Sequence, residues 1–251
     1  HPFSSHNYLL RYWLASGGID PGRDLRLVVV PPPRMVEAMA GGEIDGYCVG
    51  EPWNTMAVFQ GLGQSVVSGH DIWQNAPEKV LGVTKAWADS HPKTHRALVR
   101  ALIEAAMWAD DPEHREELVS LMAAGHYVDV PESVIKPSML GQFLGSLDRA
   151  PVAMPDYHVF YRYAATYPWR SQAVWFITQM IRWGDLQHQV DIRGVARSVY
   201  QSELYRAAAA DLVFARDVKS QFYQFMIQER NPCFQAASHR HPVDLGQNIV
   251  A

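Results

Sequence analysis

The sequence predicts an α/β protein in which a parallel sheet with flanking helices is followed by a mostly helical part. Helix and strand patterns alternate at short spacing over about residues 1–75, which is typical of a parallel sheet covered by helices. The strand candidates are short β-branched runs bounded by Pro or Gly. From residue 85 onwards strand patterns nearly vanish. We therefore expect one βα lobe over 1–75, a helical part over 76–212 and an irregular tail over 213–251.

The overall composition is that of an ordinary globular protein. The 251 residues are 48% hydrophobic and 19% charged, and they suffice for one large α/β domain or two lobes of roughly 100 residues. A formal net charge of −4 gives no electrostatic footprint for nucleic acid. No apolar run approaches the roughly 20 residues that cross a bilayer. Cys48 and Cys233 have neither the number nor the spacing of a disulfide framework or a metal site.

The elements of the first lobe follow from caps, periodicity and breakers. A helix should begin at a Ser or Asn cap and run from Tyr8 to Ser16, because Gly17-Gly18 ends it. A second helix begins at Met35 and stops at Gly41-Gly42. The other predicted elements of this lobe are strands at 25–30, 44–49 and 65–68 and a helix at 53–59.

A connection over 71–79 leads into the second part. One strand, 80–84, is followed by predicted helices at 85–90, 92–109, 112–124, 132–140, 155–165, 173–183 and 192–211. So many helices need a sheet to cover. Together with a start at His1 without Met, this indicates that the segment begins partway through a longer protein and that a sheet is encoded upstream of His1.

The turn Gly50-Glu51-Pro52-Trp53 is the first candidate for a site wall. It follows the predicted strand 44–49, and ligands in open α/β sheets are held at the carboxyl ends of strands. An alternative interpretation is that the turn ends the strand and starts a helix, with Trp53 packed on the sheet.

Small anions require converging donors and a positive charge that is not already paired with a carboxylate. Ser4, Ser5 and His6 lie at a helix start, where free amides and the helix dipole favour negative charge. Lys79 lies in the connection and could approach from the opposite wall. Glu51 is a candidate to orient either donor by accepting a hydrogen bond from it. The alternatives are that His6 only caps its helix and that Lys79 is a solvated surface charge.

Catalytic and metal sites are poorly supported by the sequence. Neighbouring Ser and His residues at a helix start rarely face each other, and no Gly-x-Ser-x-Gly elbow is present. The glycine pairs match neither a dinucleotide nor a phosphate-loop fingerprint. Cys233, His239, Arg240 and His241 are scattered and make a weak metal candidate. The sequence therefore predicts a protein without catalytic residues, without a metal and without a cofactor.

Four long motifs identify a family. HPFSSHNYLLRYWLASGGIDP, VVVPPPRMVEAMAGGEIDGYCVGEPWN, PEKVLGVTKAW and YPWRSQAVWFITQMIRWG closely resemble the nitrate- and bicarbonate-binding proteins of ABC importers, and especially the nitrate sensor that pairs with an RNA-binding antiterminator. The likeness covers about residues 1–212. It implies a type II periplasmic-binding-protein-like fold whose two lobes close on an oxyanion, with 1–75 as lobe two and 76–212 as the return to lobe one.

The resemblance also implies site residues. In nitrate-binding members, residues matching His6 and Lys79 contact the anion. The residue after that His is Trp in the transport receptor but Asn7 here, so ring packing against the ligand is not expected, and the difference favours the sensor branch. Glu51 and Trp53 match a family motif, and their contact with the ligand is an inference.

The functional hypothesis is thus a non-enzymatic protein that binds nitrate or nitrite, as a sensor or as an importer component. Candidate partners are the anion and either an ABC permease or an antiterminator protein, without direct contact to nucleic acid. Localisation would be cytoplasmic for a sensor and periplasmic or membrane-anchored for a receptor. The alternatives are a bicarbonate receptor and an enzyme on the same fold, such as a pyrimidine synthase.

Overall fold

The fold was analysed in a computed structural model, which describes residues 1–187, 189–210 and 212. Most of the regular structure is helical. The helices are α1 Ser5–Ser16, α2 Met35–Ala40, α3 Trp53–Phe59, α4 Gly69–Ile72, α5 Lys85–Ser90, α6 Pro92–Asp110, α7 Arg115–Ala123, α8 Glu132–Met139, α9 Arg170–Arg182, α10 Ile192–Val199 and α11 Ser202–Ala209. Short 3-10 turns lie at Pro32–Arg34, Pro112–His114 and Arg162–Ala164.

Side-chain caps explain why several helices begin where they do. The Ser4 hydroxyl accepts a hydrogen bond from the Asn7 amide at 3.2 Å, which satisfies one free donor at the start of α1. Thr84 caps α5 in the same way through the Trp87 amide. The predicted helices at 8–16, 53–59 and 85–90 are confirmed, and α1 begins three residues earlier than predicted.

Helix pairs and three apolar clusters form the core. Helices α7 and α8 bury Val119, Val134 and Ile135 between them. Helices α9 and α10 pack around Ile177 and Ile181, and α6 packs on α11. Burying aliphatic side chains of this size stabilises the fold by about 1.5–3 kcal/mol each.

The four predicted strands are wrong as strands. Segments 25–30, 44–49, 65–68 and 80–84 contain no residue in a β-ladder, although their backbone is non-helical. A strand requires a hydrogen-bonded neighbour, and the backbone bond found here, from Ser65 to the Gly145 carbonyl at 2.8 Å, is isolated. Apolar side chains such as Val29 and Val66 are correspondingly exposed, by 64% and 77%.

Other elements also differ from the prediction. Segment 155–165 is not a helix but a series of turns with a left-handed Tyr163, at φ 61°. The helix predicted over 192–211 is two helices, because Tyr200 and Gln201 adopt non-helical torsions. A small antiparallel sheet, β1 Gln142–Phe143 with β2 Val152–Ala153, was not predicted.

Two further predictions concern the boundary between the lobes and the C-terminal tail. The division into lobes at residue 75 stays a prediction. The irregular tail at 213–251, with Cys233, His239, Arg240 and His241, lies outside the described residues.

None of the helices between residues 1 and 210 combines the length and apolarity needed to cross a membrane.

Candidate functional site

Three side chains from two distant segments meet on Glu78. The Nε2 atom of His6, in the first turn of α1, lies 2.7 Å from Glu78 Oε1. The ammonium group of Lys79 donates to the same oxygen. The Ser5 hydroxyl donates to the Glu78 backbone carbonyl at 3.0 Å, over 73 residues of sequence. The structure therefore brings together the two predicted anion ligands, His6 and Lys79, on one carboxylate.

The start of α1 determines where His6 points. With Ser4 as N-cap, Ser5 and His6 occupy the first two helical positions, and both side chains face the connection that carries Glu78. Asn7 instead forms hydrogen bonds to α1 and to the residues just before it. Its amide nitrogen donates to the Pro2 carbonyl at 2.6 Å, and its amide oxygen accepts from Arg11 at 3.1 Å.

Gly50 approaches this cluster from a third segment. A Cβ atom at Gly50 would lie 3.6 Å from Glu78 Oε1 and 3.9 Å from His6 Nε2. The missing side chain keeps a narrow gap open in front of these two atoms. Gly50 is the first residue of the turn that the sequence indicated as a site wall.

The charges around Glu78 stabilise its ionised form. Burial alone would raise the pKa of this carboxyl group, but the hydrogen bonds and charges of His6 and Lys79 outweigh burial and lower it to about 2. Glu78 is therefore ionised at every physiological pH. Its side chain is 51% exposed, compared with 22% for His6 and 75% for Lys79.

The charge of Glu78 also affects the pKa of two further groups, Cys48 and His158. Burial raises the pKa of the Cys48 thiol to about 11, and the charge of Glu78 adds to this shift. Cys48 is thus a protonated thiol at neutral pH and a poor nucleophile. Burial also lowers the pKa of His158 to about 4, the Arg115 charge contributes in the same direction, and Glu78 acts in the opposite direction.

Glu51 and Trp53 make their contacts away from His6 and Lys79. Glu51 accepts a hydrogen bond from the Tyr157 hydroxyl at 2.7 Å and another from the Thr55 amide at 3.1 Å. Trp53 packs against the apolar cluster between α7 and α8. Glu51 therefore does not contact His6 or Lys79, and this geometry corresponds to the helix-start alternative. A direct role of either residue in ligand binding stays a prediction.

Sequence reasoning missed Glu78. Its only signal was its position beside Lys79, and charged neighbours in an exposed connection are common. The expectation of a positive charge without a carboxylate partner is wrong for Lys79, because Lys79 and His6 are both bonded to Glu78. Only the fold reveals that a helix 70 residues earlier reaches the same oxygen.

The cluster lies in one corner of a large concave surface. This surface encloses about 3730 Å³ and is also lined by Glu51, Trp53 and Asn7. Small-molecule pockets typically measure 300–1,000 Å³, so an anion of four atoms would fill only a corner. Within the described part of the chain, no group of three or more His, Cys, Asp or Glu side chains is arranged to hold a metal ion.

Comparison with a solved structure defines the class of protein. The crystal structure of the periplasmic nitrate-binding protein NrtA from Synechocystis PCC 6803 matches with a TM-score of 0.84 and 32% sequence identity, over 86% of this chain and 57% of that chain. The chain thus has the periplasmic-binding-protein fold, and the predicted fold class is confirmed even though its individual strands are not paired.

Sequence comparison defines the family. Residues 1–123 match the NMT1-like family. The nitrate import ATP-binding protein NrtC of Synechocystis sp. is 42% identical over 212 residues, which are 84% of this chain and 32% of the relative. The nitrate/nitrite binding protein NrtA of Synechococcus elongatus is 38% identical over 218 residues, 86% of this chain and 49% of the relative.

The predicted resemblance to nitrate- and bicarbonate-binding proteins is therefore confirmed, whereas the assignment to the sensor branch stays a prediction. The chain is a homologue of the nitrate- and bicarbonate-binding proteins of ABC transporters, since the bicarbonate-binding protein CmpA of Synechococcus elongatus is also 30% identical over 219 residues. The chain spans between 32% and 49% of the length of these curated relatives.

Proposed function

We propose that this protein binds a small planar oxyanion, with nitrate first and nitrite next, and that it acts without catalysis as a sensor or as the substrate-binding component of an ABC importer. The observation that carries the proposal is the convergence of His6 and Lys79 on one carboxylate oxygen at the wall formed by Gly50. A place where an imidazole and an ammonium group already hold an oxyanion group is chemically suited to another oxyanion.

The proposed mechanism is capture between two walls. The start of α1 contributes His6 and the partial positive charge of the helix, and the connection contributes the ammonium group of Lys79. Closure around the anion would exclude water and strengthen these contacts, because electrostatic interactions increase as the local dielectric constant falls. The closed form would then be recognised by a permease or by an antiterminator protein.

Names of the relatives support this substrate class. NrtA and NrtC are named for nitrate or nitrite, whereas the bicarbonate transport ATP-binding protein CmpC of Synechocystis sp. is 42% identical over 214 residues. Both anions are planar, singly charged and similar in size. They differ in that bicarbonate carries one hydroxyl donor.

Bicarbonate is the second candidate because Glu78 is a hydrogen-bond acceptor at the site. A site that offers only donors discriminates against a ligand hydroxyl, whereas a carboxylate can accept from it. The location of Glu78 Oε1 between His6 and Lys79 is the specific observation that keeps bicarbonate in consideration.

Isothermal titration of the full-length protein tests the proposal. We expect micromolar binding of nitrate to the wild type and no measurable binding to Lys79→Ala, because the substitution removes the ammonium donor. Lys136→Ala is the matched control, since Lys136 pairs with Glu116 and does not line the concave surface. Equal nitrate binding by all three proteins would overturn the proposal.

A further inference from the structure

We propose that the Glu78 carboxylate is an internal competitor for the anion, which must take the His6 and Lys79 donors away from Glu78 in order to bind. This inference rests on the proposed function. It concerns the residue that sets the affinity and selectivity of the site, and it follows from where the carboxylate oxygen lies.

The first argument is one of position. Oε1 of Glu78 accepts from both His6 Nε2 and the Lys79 ammonium. The Nε2 atom is also the ring nitrogen that faces the gap in front of Gly50, where a Cβ atom would be 3.9 Å away. An anion oxygen that accepts from Nε2 in this gap would need the place that Glu78 Oε1 occupies.

The second argument is one of charge. Two like charges about 4 Å apart repel each other, and the repulsion grows as the surrounding dielectric constant falls. The hydrogen bonds and charges of His6 and Lys79 keep Glu78 ionised, so protonation does not remove this repulsion at physiological pH. Nitrate and the Glu78 carboxylate therefore cannot share the two donors at low cost.

The third argument is that Glu78 can leave without disturbing the connection. Its side chain is 51% exposed and can rotate into water, where its charge is solvated. The backbone of the same residue is held separately, because its carbonyl accepts from the Ser5 hydroxyl. Release of the carboxylate would thus keep Lys79 in place while freeing its donor.

The inference also distinguishes the two candidate ligands. Nitrate has no hydrogen to donate and must displace Glu78. Bicarbonate can donate its hydroxyl hydrogen to the carboxylate and accept from the cationic side chains at the same time. Removal of the Glu78 charge should therefore favour nitrate more than it favours bicarbonate.

The test is isothermal titration of the full-length wild type and Glu78→Gln with nitrate and with bicarbonate. Glutamine has the same shape but makes neutral, weaker hydrogen bonds. We expect nitrate affinity to rise about fivefold, which corresponds to the largest free energies measured for exposed ion pairs. Bicarbonate affinity should rise less or should fall. Glu113→Gln is the charge-matched control, since Glu113 is exposed and does not line the concave surface.

The outcomes separate the two proposals. Nitrate binding to Glu78→Gln that is equal to or weaker than binding to the wild type would overturn the competition and leave the proposed function standing. Absence of nitrate, nitrite and bicarbonate binding in both proteins would overturn both. If circular dichroism shows that Glu78→Gln is unfolded, Glu78→Asp replaces it. Its carboxylate is one methylene shorter and reaches both donors less well, so nitrate affinity should again rise, and an unchanged or lower affinity would overturn the competition.

Discussion

His158 is a buried titratable residue that should make the stability of the protein depend on pH. Its Nε2 atom is buried and has no hydrogen-bond partner among the described residues. Burial, assisted by the charge of Arg115, lowers the pKa of the imidazole to about 4 from the usual 6.5. The ring is therefore neutral in the folded protein at pH values where it would be protonated in the unfolded chain.

A stability measurement against pH tests this assignment. Because the unfolded chain binds the proton first, the contribution of His158 is fully present above pH 6.5 and is lost as the pH falls towards 4. Between pH 7.5 and pH 5 we expect a loss of up to about 2 kcal/mol from this residue. Urea denaturation should show that His158→Gln loses less stability over this interval than the wild type does.

The exposed His126 provides the control for this experiment. His126→Gln should keep the pH dependence of the wild type, because the exposed side chain of His126 is surrounded by water in the folded as well as in the unfolded chain. An unchanged pH dependence in His158→Gln would show that this ring is not the group responsible.

Individual site residues were predictable only where a local rule applied to them. His6 follows from the cap at Ser4 and the family motif, and Lys79 follows from its motif. Glu78 could not be recognised, because its importance comes from a contact across 70 residues. The hydrogen-bond partner of Glu51 was equally unpredictable. Tyr157 lies 106 residues away, and no local pattern connects the two residues.

At the scale of elements, Asp110 joins the end of α6 to the turns at 160–162. Its side chain is 7% exposed and accepts from the backbone amides of Phe160, Tyr161 and Arg162. It also pairs with the guanidinium groups of Arg115 and Arg162, at 2.9 and 2.8 Å. One carboxylate thus satisfies donors from two other parts of the chain, residues 160–162 and Arg115.

Removal of the Asp110 charge should be strongly destabilising. Asp110→Asn leaves the buried Arg115 without its counterion, for which losses of about 3–5 kcal/mol are typical. Asp89→Asn, which removes an exposed carboxylate paired with Lys85, should cost less than about 1 kcal/mol. Chemical denaturation compares the two variants, and similar losses would contradict the proposed role of Asp110 as a buried junction.

Helices were more predictable than strands for a physical reason. A helix satisfies its hydrogen bonds within one segment, so the pattern of Lys85–Ser90 determines its structure locally. A strand depends on neighbours that are distant in sequence. The runs at 25–30 and 80–84 have the composition of strands, yet they make no ladder in the described part of the chain. The break at Tyr200 was missed because helix-forming sequence lies on both sides of it.

At the scale of the whole molecule, the meeting of His6 and Lys79 on one concave surface is the feature on which the proposed function rests. His6 and Lys79 lie on different segments, and the fold brings them within hydrogen-bond distance of one oxygen. The homology to nitrate- and bicarbonate-binding proteins and this geometry both support the same class of ligand. The choice between the two anions depends on Glu78 under the competition described above.

The most direct measurement is a crystal structure of the full-length protein grown with nitrate. The account predicts nitrate in front of Gly50, with oxygens about 3 Å from His6 Nε2 and Lys79 Nζ and with the Glu78 carboxylate turned away. Nitrate bound elsewhere, with His6 and Lys79 on unrelated surfaces, would contradict the proposed site.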